Sequence, residues 1–290
     1  MLKKISKDGM EISINTSGAE LKSLVSDGIN YIWCSDPKYW NRSAPVLFPV
    51  VGKLKGLETE IEGKTYHIPQ HGFLRDLEFE YLGEIDGKYT FTNKYSFDTL
   101  KMYPFKYEAN ISYSIDGNKL KTEFKIKNID TKEIYFNIGG HPAINCPLYE
   151  GESFNDYSIH FEKAELVNSP LIMGDATLDF SKTVLHYPSL TNLQLKKEIF
   201  YSDTIIITNV KSREVVLSNK DGKGVKFSFE NFTTFSIWTP HNEAPFVCLE
   251  PWQGYNDLVD TKKTYLEKAD LVHLLPNEEY VCSYTIELLK

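Results

Sequence analysis

Residues Leu120–Lys127 read LKTEFKIK, a strict alternation of apolar or β-branched residues with charged ones. A period of two places the two sets of side chains on opposite faces of a β-strand. Gly224–Glu230 (GVKFSFE) has the same alternation, and so does the C-terminal segment from Tyr280 to Leu288. These segments predict half-buried strands. Thr204–Val210 (TIIITNV) is a nearly continuous β-branched run instead, which predicts a strand that is covered on both faces.

Turn residues agree with this pattern. The chain carries five Asp-Gly dipeptides, at Asp8-Gly9, Asp27-Gly28, Asp86-Gly87, Asp116-Gly117 and Asp221-Gly222. These dipeptides tolerate positive φ and are strong hairpin signals between alternating segments, so they predict an antiparallel meander. No segment has the sustained apolar stripe of a long amphipathic helix. One helical turn is predicted at Asp98–Tyr103, with Asp98 as its N-cap and Pro104 ending it.

No feature of the chain marks a domain boundary. It contains no Gly/Ser-rich or Pro-rich linker, no low-complexity tract and no obvious internal repeat. A length of 290 residues is long for one ordinary domain, although large β-barrels and β-sandwiches reach it. We therefore predict one all-β domain over residues 1–290, built as a large antiparallel β-sandwich of two extensive sheets.

The composition narrows the classes of partner. Lys and Arg total 32 against 40 Asp and Glu, a net charge of −8, and the three arginines are Arg42, Arg75 and Arg213. Because nucleic-acid phosphates are bound by a surplus of Lys and Arg, no nucleic acid is expected as a partner. Aromatic residues make up 13% of the chain, which favours β structure and a sugar-type or apolar ligand.

The sequence also indicates the compartment. The four cysteines (Cys34, Cys146, Cys248 and Cys282) form no C-x-x-C pair and resemble neither a disulfide framework nor a structural zinc site. The first ten residues lack the apolar core of a signal peptide, and no run approaches the roughly 20 apolar residues of a membrane helix. We expect a reduced, cytoplasmic protein without a membrane partner.

Four short segments break the alternation and concentrate unusual residues. They are Trp40–Gly52 (WNRSAPVLFPVVG), Pro69–Asp76 (PQHGFLRD), Asn137–Pro147 (NIGGHPAINCP) and Val247–Gly254 (VCLEPWQG). Glu250 interrupts an apolar stretch, and apolar surroundings raise the pKa of a carboxyl group, which suits it to proton transfer near neutrality. Each feature alone also has a structural explanation, such as a turn at Gly139-Gly140 or a satisfied core position for a lone His. Their occurrence together indicates a site.

In this order the segments resemble the aldose 1-epimerase (galactose mutarotase) family, specifically its divergent bacterial branch of mutarotase-like proteins. The resemblance covers essentially the whole chain, and its most specific parts are the His-Pro motif at His141 and the Glu-Pro motif at Glu250. It implies a large antiparallel sandwich, sometimes called a supersandwich. It also implies an isomerase that interconverts the α and β anomers of a free aldose with no cofactor and no metal.

The resemblance implies a role for each motif residue. Glu250 looks like the general base that takes the proton of the C1 hydroxyl, and His141 like the general acid that protonates the ring oxygen. His71 would lie on the ring-oxygen side and polarise or orient the substrate, while Arg42 would bind sugar hydroxyls. Asp203 falls where family members carry a sugar-binding Asp, with a strand-capping turn as the alternative.

Aromatic and basic residues leave alternatives open. Trp252, Trp238 or Tyr255 would offer a flat face to the C–H surface of a sugar, or would belong to the core. Arg42 and Arg75 would hold the phosphate of a hexose 6-phosphate, a substrate class of related proteins with this fold, unless Arg75 pairs with Asp76 internally. With so few arginines, the pairing of His71 and His141 favours a free aldose.

Two other classes remain as alternatives. One is a non-catalytic sugar-binding protein on the same scaffold, which would not need a matched acid and base. The other is a metal-dependent enzyme. His67 and His71 have H-x-x-x-H spacing, but Pro69 disfavours a helix there, so only a strand-based site with His141 and Glu250 would use them. The remaining histidines, predicted to be structural or surface residues, are His160, His186, His241 and His273.

Overall fold

The computed structural model describes residues 1–241 and 243–290. Across these residues there is one α-helix, α1 (Phe97–Met102), and short 3-10 turns lie at Lys55–Leu57, Leu74–Asp76, Phe154–Asp156, Lys197–Phe200 and Tyr265–Glu267. None of these helices has the length and apolarity to cross a membrane.

The described ranges are otherwise mostly β-strand. The strands are β1 (Leu2–Lys7), β2 (Met10–Asn15), β3 (Glu20–Ser26), β4 (Ile29–Asn30), β5 (Val46–Leu47), β6 (Glu58–Ile61), β7 (Lys64–His67), β8 (Glu80–Ile85), β9 (Lys88–Lys94), β10 (Tyr107–Asp116), β11 (Lys119–Asn128), β12 (Ile134–Phe136), β13 (Ile138–Gly140), β14 (Ala143–Asn145), β15 (Tyr157–Ile172), β16 (Leu178–Gln194), β17 (Ile205–Thr208), β18 (Glu214–Asn219), β19 (Gly224–Glu230), β20 (Thr234–Trp238), β21 (Phe246–Gln253), β22 (Val272–Leu274) and β23 (Glu279–Leu289).

Two large sheets dominate this part of the chain. The first has nine strands in the order β16-β15-β18-β19-β23-β11-β10-β9-β8, and the second has six, in the order β17-β20-β21-β13-β5 with β14 also paired to β21. A four-stranded sheet (β1 to β4) and two two-stranded ribbons (β6–β7 and β12–β22) lie beside them. The predicted all-β antiparallel sandwich is confirmed, with three small sheets added to the two large ones.

The alternating segments form the strands that their pattern predicts. Leu120–Lys127 lies within β11, where buried residues alternate with more exposed ones along the strand. Gly224–Glu230 coincides with β19, and the C-terminal alternation lies within β23. The β-branched run forms β17, in which three consecutive isoleucines (Ile205–Ile207) are at most 2% exposed. A strand without a solvent face has no need for alternating polarity.

All five predicted Asp-Gly hairpins are confirmed. They join β1 to β2, β3 to β4, β8 to β9, β10 to β11 and β18 to β19. At Asp8, Asp27 and Asp86 the Asp and the following Gly both have positive φ, the conformation that a two-residue hairpin turn needs.

The single helical turn is confirmed, but its predicted N-cap is wrong. The cap of α1 is Ser96: its side chain accepts a hydrogen bond from the N–H of Thr99, and the Thr99 hydroxyl accepts one from the N–H of Ser96. This reciprocal capping box satisfies two backbone donors, whereas a cap at Asp98 would satisfy one. Asp98 lies inside the first turn and pairs with Lys101.

The two large sheets pack face to face through aromatic side chains. Phe235 of β20 stacks on Phe229 of β19 with ring centroids 4.9 Å apart, and it also contacts Phe227 and Phe161 of the nine-stranded sheet. Within the six-stranded sheet, β21 is a central strand and all but its last residue are buried. A strand hydrogen-bonded on both edges is a rigid support for a side chain.

Candidate active site

One cavity brings together most of the residues that the sequence singled out. Its lining includes Arg42, His71, Arg75, His141, Asp203, Glu250 and Trp252. These residues are far apart in sequence, so their convergence is a property of the fold. Their chemical roles are taken up under the proposed function.

Glu250 supplies a buried carboxyl group from the middle of β21. The residue is 1% exposed, and neither carboxyl oxygen has a hydrogen-bond partner of regular geometry among the described residues. Burial, with a smaller contribution from the negative charge of Asp203, raises the pKa of Glu250 well above its usual range. The carboxyl group therefore keeps its proton to a higher pH than an exposed glutamic acid does.

His141 faces this carboxyl group. Its Nε2 atom lies 3.1 Å from Oε2 of Glu250, while its Nδ1 has no hydrogen-bond partner in the described part of the chain. The imidazole stacks on the indole of Trp40 with centroids 4.8 Å apart, and Trp238 meets it edge-on at 5.6 Å. Burial among these rings lowers the pKa of His141 to about 3.

Strand pairing brings the two groups together. Gly139 of β13 pairs with Trp252 of β21, and Ala143 of β14 pairs with Cys248 of β21. His141 lies between these two pairings and is therefore brought next to Glu250. The backbone register, more than any loop, positions the pair.

The Gly-Gly sequence before His141 allows close packing, and its expected use as a turn is not what the structure shows. Both glycines belong to strand β13. A Cβ atom at Gly139 would lie 2.8 Å from the indole of Trp252, and one at Gly140 would lie 2.8 Å from the ring of Tyr284. A larger residue at either position would push aside an aromatic ring, one of which lines the cavity.

His71 lies in a strained loop that fixes its ring. The residue has a φ of 62°, and its Nδ1 accepts a hydrogen bond from the backbone N–H of Gly52 over 3.1 Å. Since a backbone N–H only donates, the neutral ring carries its proton on Nε2. Burial and the neighbouring His141, whose ring centroid is 5.7 Å away, lower the pKa of His71 well below its usual range. His71 is thus a neutral hydrogen-bond donor.

The two cavity arginines have different partners. Nη2 of Arg42 lies 2.6 Å from Oδ1 of Asp76, whereas Nε of Arg75 is 3.9 Å from the same carboxylate. Arg75 donates through Nη2 to the carbonyl of Gln70 over 2.6 Å, and its Nε has no hydrogen-bond partner within residues 1–241 and 243–290. Burial and the positive charge of Arg42 lower the pKa of Arg75 to about 10. Asp76 therefore pairs mainly with Arg42, whereas the sequence had offered Arg75 as its internal partner.

The remaining sequence-predicted residues lie at the edge and on the wall. Asp203 is exposed, has a φ of 79°, and accepts a hydrogen bond from the Thr204 hydroxyl over 3.2 Å. It therefore lies in a turn and also lines the cavity. Trp252 is 3% exposed and contributes to the wall, as does Trp238. Tyr255 packs against Phe180 and is not among the described lining residues.

The lining residues that were not identified as site residues from sequence include Trp40, Gln70, His241 and Asn256. Trp40 and Gln70 lie inside segments that the sequence had marked, so proximity to Arg42 and His71 was an available signal. His241 was predicted to be structural or on the surface; it is exposed and also lines the cavity. Asn256 had no sequence signal, because its position depends on a close approach to Gly52.

The H-x-x-x-H spacing does not form a site. His67 ends β7, is exposed, and is absent from the described cavity lining, whereas His71 lies in the loop beyond Pro69. Pro69 and the strand end separate the two imidazoles in the way that the sequence predicts.

Comparison with known proteins gives the family. The family model described as aldose 1-epimerase matches residues 1–286. The chain belongs to the aldose 1-epimerase family. Among curated relatives of this chain, Protein LacX (plasmid) of Lactococcus lactis subsp. lactis is 33% identical over 99% of both chains.

Solved structures show the same family architecture. A galactose mutarotase related enzyme from Lactobacillus acidophilus superposes with a TM-score of 0.92 and 30% identity, covering 100% of this chain and 98% of that one. A galactose mutarotase-like protein from Lactobacillus casei gives a TM-score of 0.89 and 28% identity, covering 99% of this chain and 100% of that one. Membership of the aldose 1-epimerase family supports a sugar-directed, isomerase-type activity.

Proposed function

We propose that this protein interconverts the α and β anomers of a free aldose by general acid–base ring opening and closure. The observation that carries the proposal is the 3.1 Å between His141 Nε2 and Glu250 Oε2 at the wall of the cavity. The C1 hydroxyl and the ring oxygen of an aldose share one carbon atom. An acid and a base that act on them at the same time must therefore lie next to each other.

The proposed reaction moves one proton in and one proton out at each step. Glu250 takes the proton of the C1 hydroxyl while His141 gives one to the ring oxygen, and the bond between C1 and the ring oxygen breaks. The open-chain aldehyde rotates about C1–C2. Closure on the other face of the carbonyl reverses both transfers and inverts C1. No electron transfer or third reactant is involved, so the proposed reaction needs no cofactor.

The pair shares one mobile proton during this cycle. The charged form, with Glu250 ionised and His141 protonated, opens the ring, and the uncharged form closes it. Burial raises the pKa of Glu250 and lowers that of His141, which favours the uncharged form before a sugar binds. The polar groups of a bound sugar offset part of this burial, so the two forms approach each other in energy.

Other lining residues would bind the sugar. His71 would donate a hydrogen bond from Nε2 on the ring-oxygen side, and Arg42, Arg75 and Asp203 would bind hydroxyls. Trp252 would contact the C–H face. We place the activity in a single domain of residues 1–290, in the cytoplasm, with a small sugar as the partner.

Polarimetry tests this proposal directly. Freshly dissolved α-D-glucose and α-D-galactose are followed with wild type, Glu250→Gln and Glu108→Gln. Glu108 lies on β10, outside the cavity lining, and pairs with Lys94, so it controls for loss of a carboxylate. Wild type and Glu108→Gln should speed anomeric equilibration, and Glu250→Gln should lose about 10²–10⁴-fold in kcat. Equal rates for wild type and Glu250→Gln would contradict the assignment of the base.

A hexose 6-phosphate is the second candidate substrate, because the cavity has more positive than negative charge on one side. Arg42 and Arg75 share one carboxylate within ion-pair distance, that of Asp76, whose side chain is 54% exposed. A phosphate would pair with a guanidinium that has an unused donor. In that case wild type acts on the phosphate ester far faster than on the free sugar, and Arg75→Gln raises KM for the ester alone. If the protein accelerates the equilibration of neither substrate but calorimetry detects sugar binding, it is a binding protein.

A further inference from the structure

We propose that His141, Cys248 and Glu250 form a binding site for a thiophilic divalent cation such as Zn²⁺. One ligand atom from each residue lies within 4.8 Å of the others, and all three residues are buried. Residues 1–241 and 243–290 contain no other group of three His, Cys, Asp or Glu side chains this close together. The cation would occupy the position of the acid–base pair and block it.

The backbone holds the three ligands on one rigid surface. Cys248 and Glu250 are two residues apart on β21, so their side chains project from the same face. His141 lies between the pairings of β13 and β14 with β21 and meets both side chains. Two ligands on one strand, and a third in the two-residue link between strands paired to it, need little ordering when a metal binds.

The donor set is one that zinc uses. Imidazole nitrogen, thiolate sulfur and carboxylate oxygen all bind Zn²⁺, at about 2.0–2.3 Å. Ligands of one tetrahedral ion at these bond lengths are roughly 3.3–3.8 Å apart, so the cluster would contract by about 1 Å. His141 Nε2 and Glu250 Oε2, at 3.1 Å, are already close enough.

A second observation points independently to a cation. Oε1 of Glu250 is buried without a hydrogen-bond partner among the described residues, and Oε2 has only the 3.1 Å approach of His141 Nε2, without regular hydrogen-bond geometry. Unpartnered buried polar groups are costly, and a bound cation would satisfy the carboxyl group. His141 and Glu250 also line the cavity, which gives the ion an entry path and leaves its fourth position open to water or substrate.

The inference differs from the proposed function because it does not require turnover. On binding, the Cys248 thiol and the Glu250 carboxyl each release a proton to solvent and the ion takes their place. Such an ion would be an inhibitor. This protein would bind the ion even if it had no activity on any sugar.

Cobalt provides a spectroscopic probe that is separate from activity. Chelator-treated full-length protein is titrated with Co²⁺, and the thiolate-to-cobalt charge-transfer band and the visible bands of tetrahedral Co²⁺ are recorded. Wild type should take up one equivalent with both signals, and Zn²⁺ should displace it. Cys248→Ser and Cys248→Ala should lose the charge-transfer band, and their Zn²⁺ affinity should fall by roughly 100-fold or more, since even outer-shell changes at metal sites cost 10–100-fold.

Two other cysteine variants are matched controls. Cys34→Ser removes an exposed thiol and Cys146→Ser another buried one, and both proteins should keep the wild-type spectrum. The proposal is wrong if wild type shows no charge-transfer band, or if the band survives in folded Cys248→Ala, or if it disappears in Cys34→Ser. A misfolded Cys248→Ser is recognised by circular dichroism, and Cys248→Ala then decides the result.

Discussion

The backbone N–H of Gly52 donates a hydrogen bond to Nδ1 of His71, across 3.1 Å. This bond assigns the two ring nitrogens: Nδ1 accepts, and the proton of the neutral ring lies on Nε2. Burial lowers the pKa of the same imidazole, so it stays neutral where an exposed histidine would be charged.

We therefore expect nitrogen-15 NMR to show His71 as the neutral Nε2–H tautomer at neutral pH and also at the ordinary histidine pKa of about 6.5, where an exposed imidazole is half protonated. The His71→Gln variant identifies the resonance. A neutral Nδ1–H tautomer, or an imidazolium at neutral pH, would contradict both the hydrogen bond and the donor role.

The contact between His141 and Glu250 predicts strongly non-additive variants. Each of His141→Gln and Glu250→Gln should reduce kcat by about 10²–10⁴-fold, because either change interrupts the same coupled proton transfer. The double variant should lose little more than the worse single one, since residues that act as a unit are not additive. Polarimetry at saturating sugar measures all three rates. A double loss equal to the product of the single losses would mean that the two groups act independently.

Buried neutral His141 makes folding stability depend on pH. Its pKa is about 3 in the folded protein, against 6.5 for an unperturbed histidine. Between these values the unfolded chain binds the extra proton, so the free energy of unfolding contributed by His141 falls as pH drops from 6.5 towards 3, by about 1.4 kcal/mol per pH unit. The raised pKa of Glu250 acts in the opposite direction above 4.5, because the folded protein keeps a proton that the unfolded chain loses.

Urea unfolding from about pH 6 to pH 5, with a chelator present, isolates the histidine contribution. The slope of unfolding free energy against pH should be lower in His141→Gln than in wild type by about 1.4 kcal/mol per unit. Identical slopes in the two proteins would show that His141 is protonated in the folded state.

The glycine after His71 is predicted to be intolerant of a side chain. Gly72 has a φ of 70°, and a Cβ atom there would lie 1.9 Å from the carbonyl oxygen of Phe48. Gly87 has a φ of 75° with nothing within 4 Å, so Gly87→Ala carries only the left-handed backbone cost of about 1–2 kcal/mol. Gly72→Ala should destabilise by roughly 2 kcal/mol more than Gly87→Ala, measured by urea unfolding.

Gly72→Ala should also lose activity, because relieving the clash displaces the loop that holds His71. Gly87→Ala should retain full activity in the same assay. If the two variants had equal stabilities, the loop would be able to yield and its role in fixing His71 would be refuted.

Local patterns explain why much of the fold was readable from sequence. The alternation at Leu120–Lys127 and the Asp-Gly turns depend on residues next to each other in the chain, and every hairpin they predict forms. Sheet order was not readable, because β11 lies between β10 and the distant β23. The long strands β15 and β16 were also missed. Their pairing has several register shifts and β16 is a largely exposed edge strand, so no clean period of two develops.

The residues of the candidate site likewise include some that the sequence predicted and some that it did not. Glu250 and His141 lie in short motifs with a recognisable order, and the cavity contains both. The contribution of Trp40 depends on stacking over His141, a residue a hundred positions away, and that of Asn256 on its approach to Gly52. Contacts of this kind leave no periodicity in the sequence. The N-cap of α1 was missed because Asp98, a common capping residue, lies close by in the sequence. The actual cap is Ser96, which exchanges hydrogen bonds with Thr99.

The cations of the cavity have a chemical consequence for the proposed reaction. No lysine is among the described lining residues, whose permanent cations are Arg42 and Arg75. The nearby Lys268 ammonium is buried against Asp257 at 3.3 Å and bonds to the carbonyl of Tyr255. An open-chain sugar condenses readily with a primary amine to give an imine, but only slowly with a guanidinium. In the proposed reaction, a cavity whose permanent cations are arginines can form and reclose a reactive aldehyde many times without glycating its own wall.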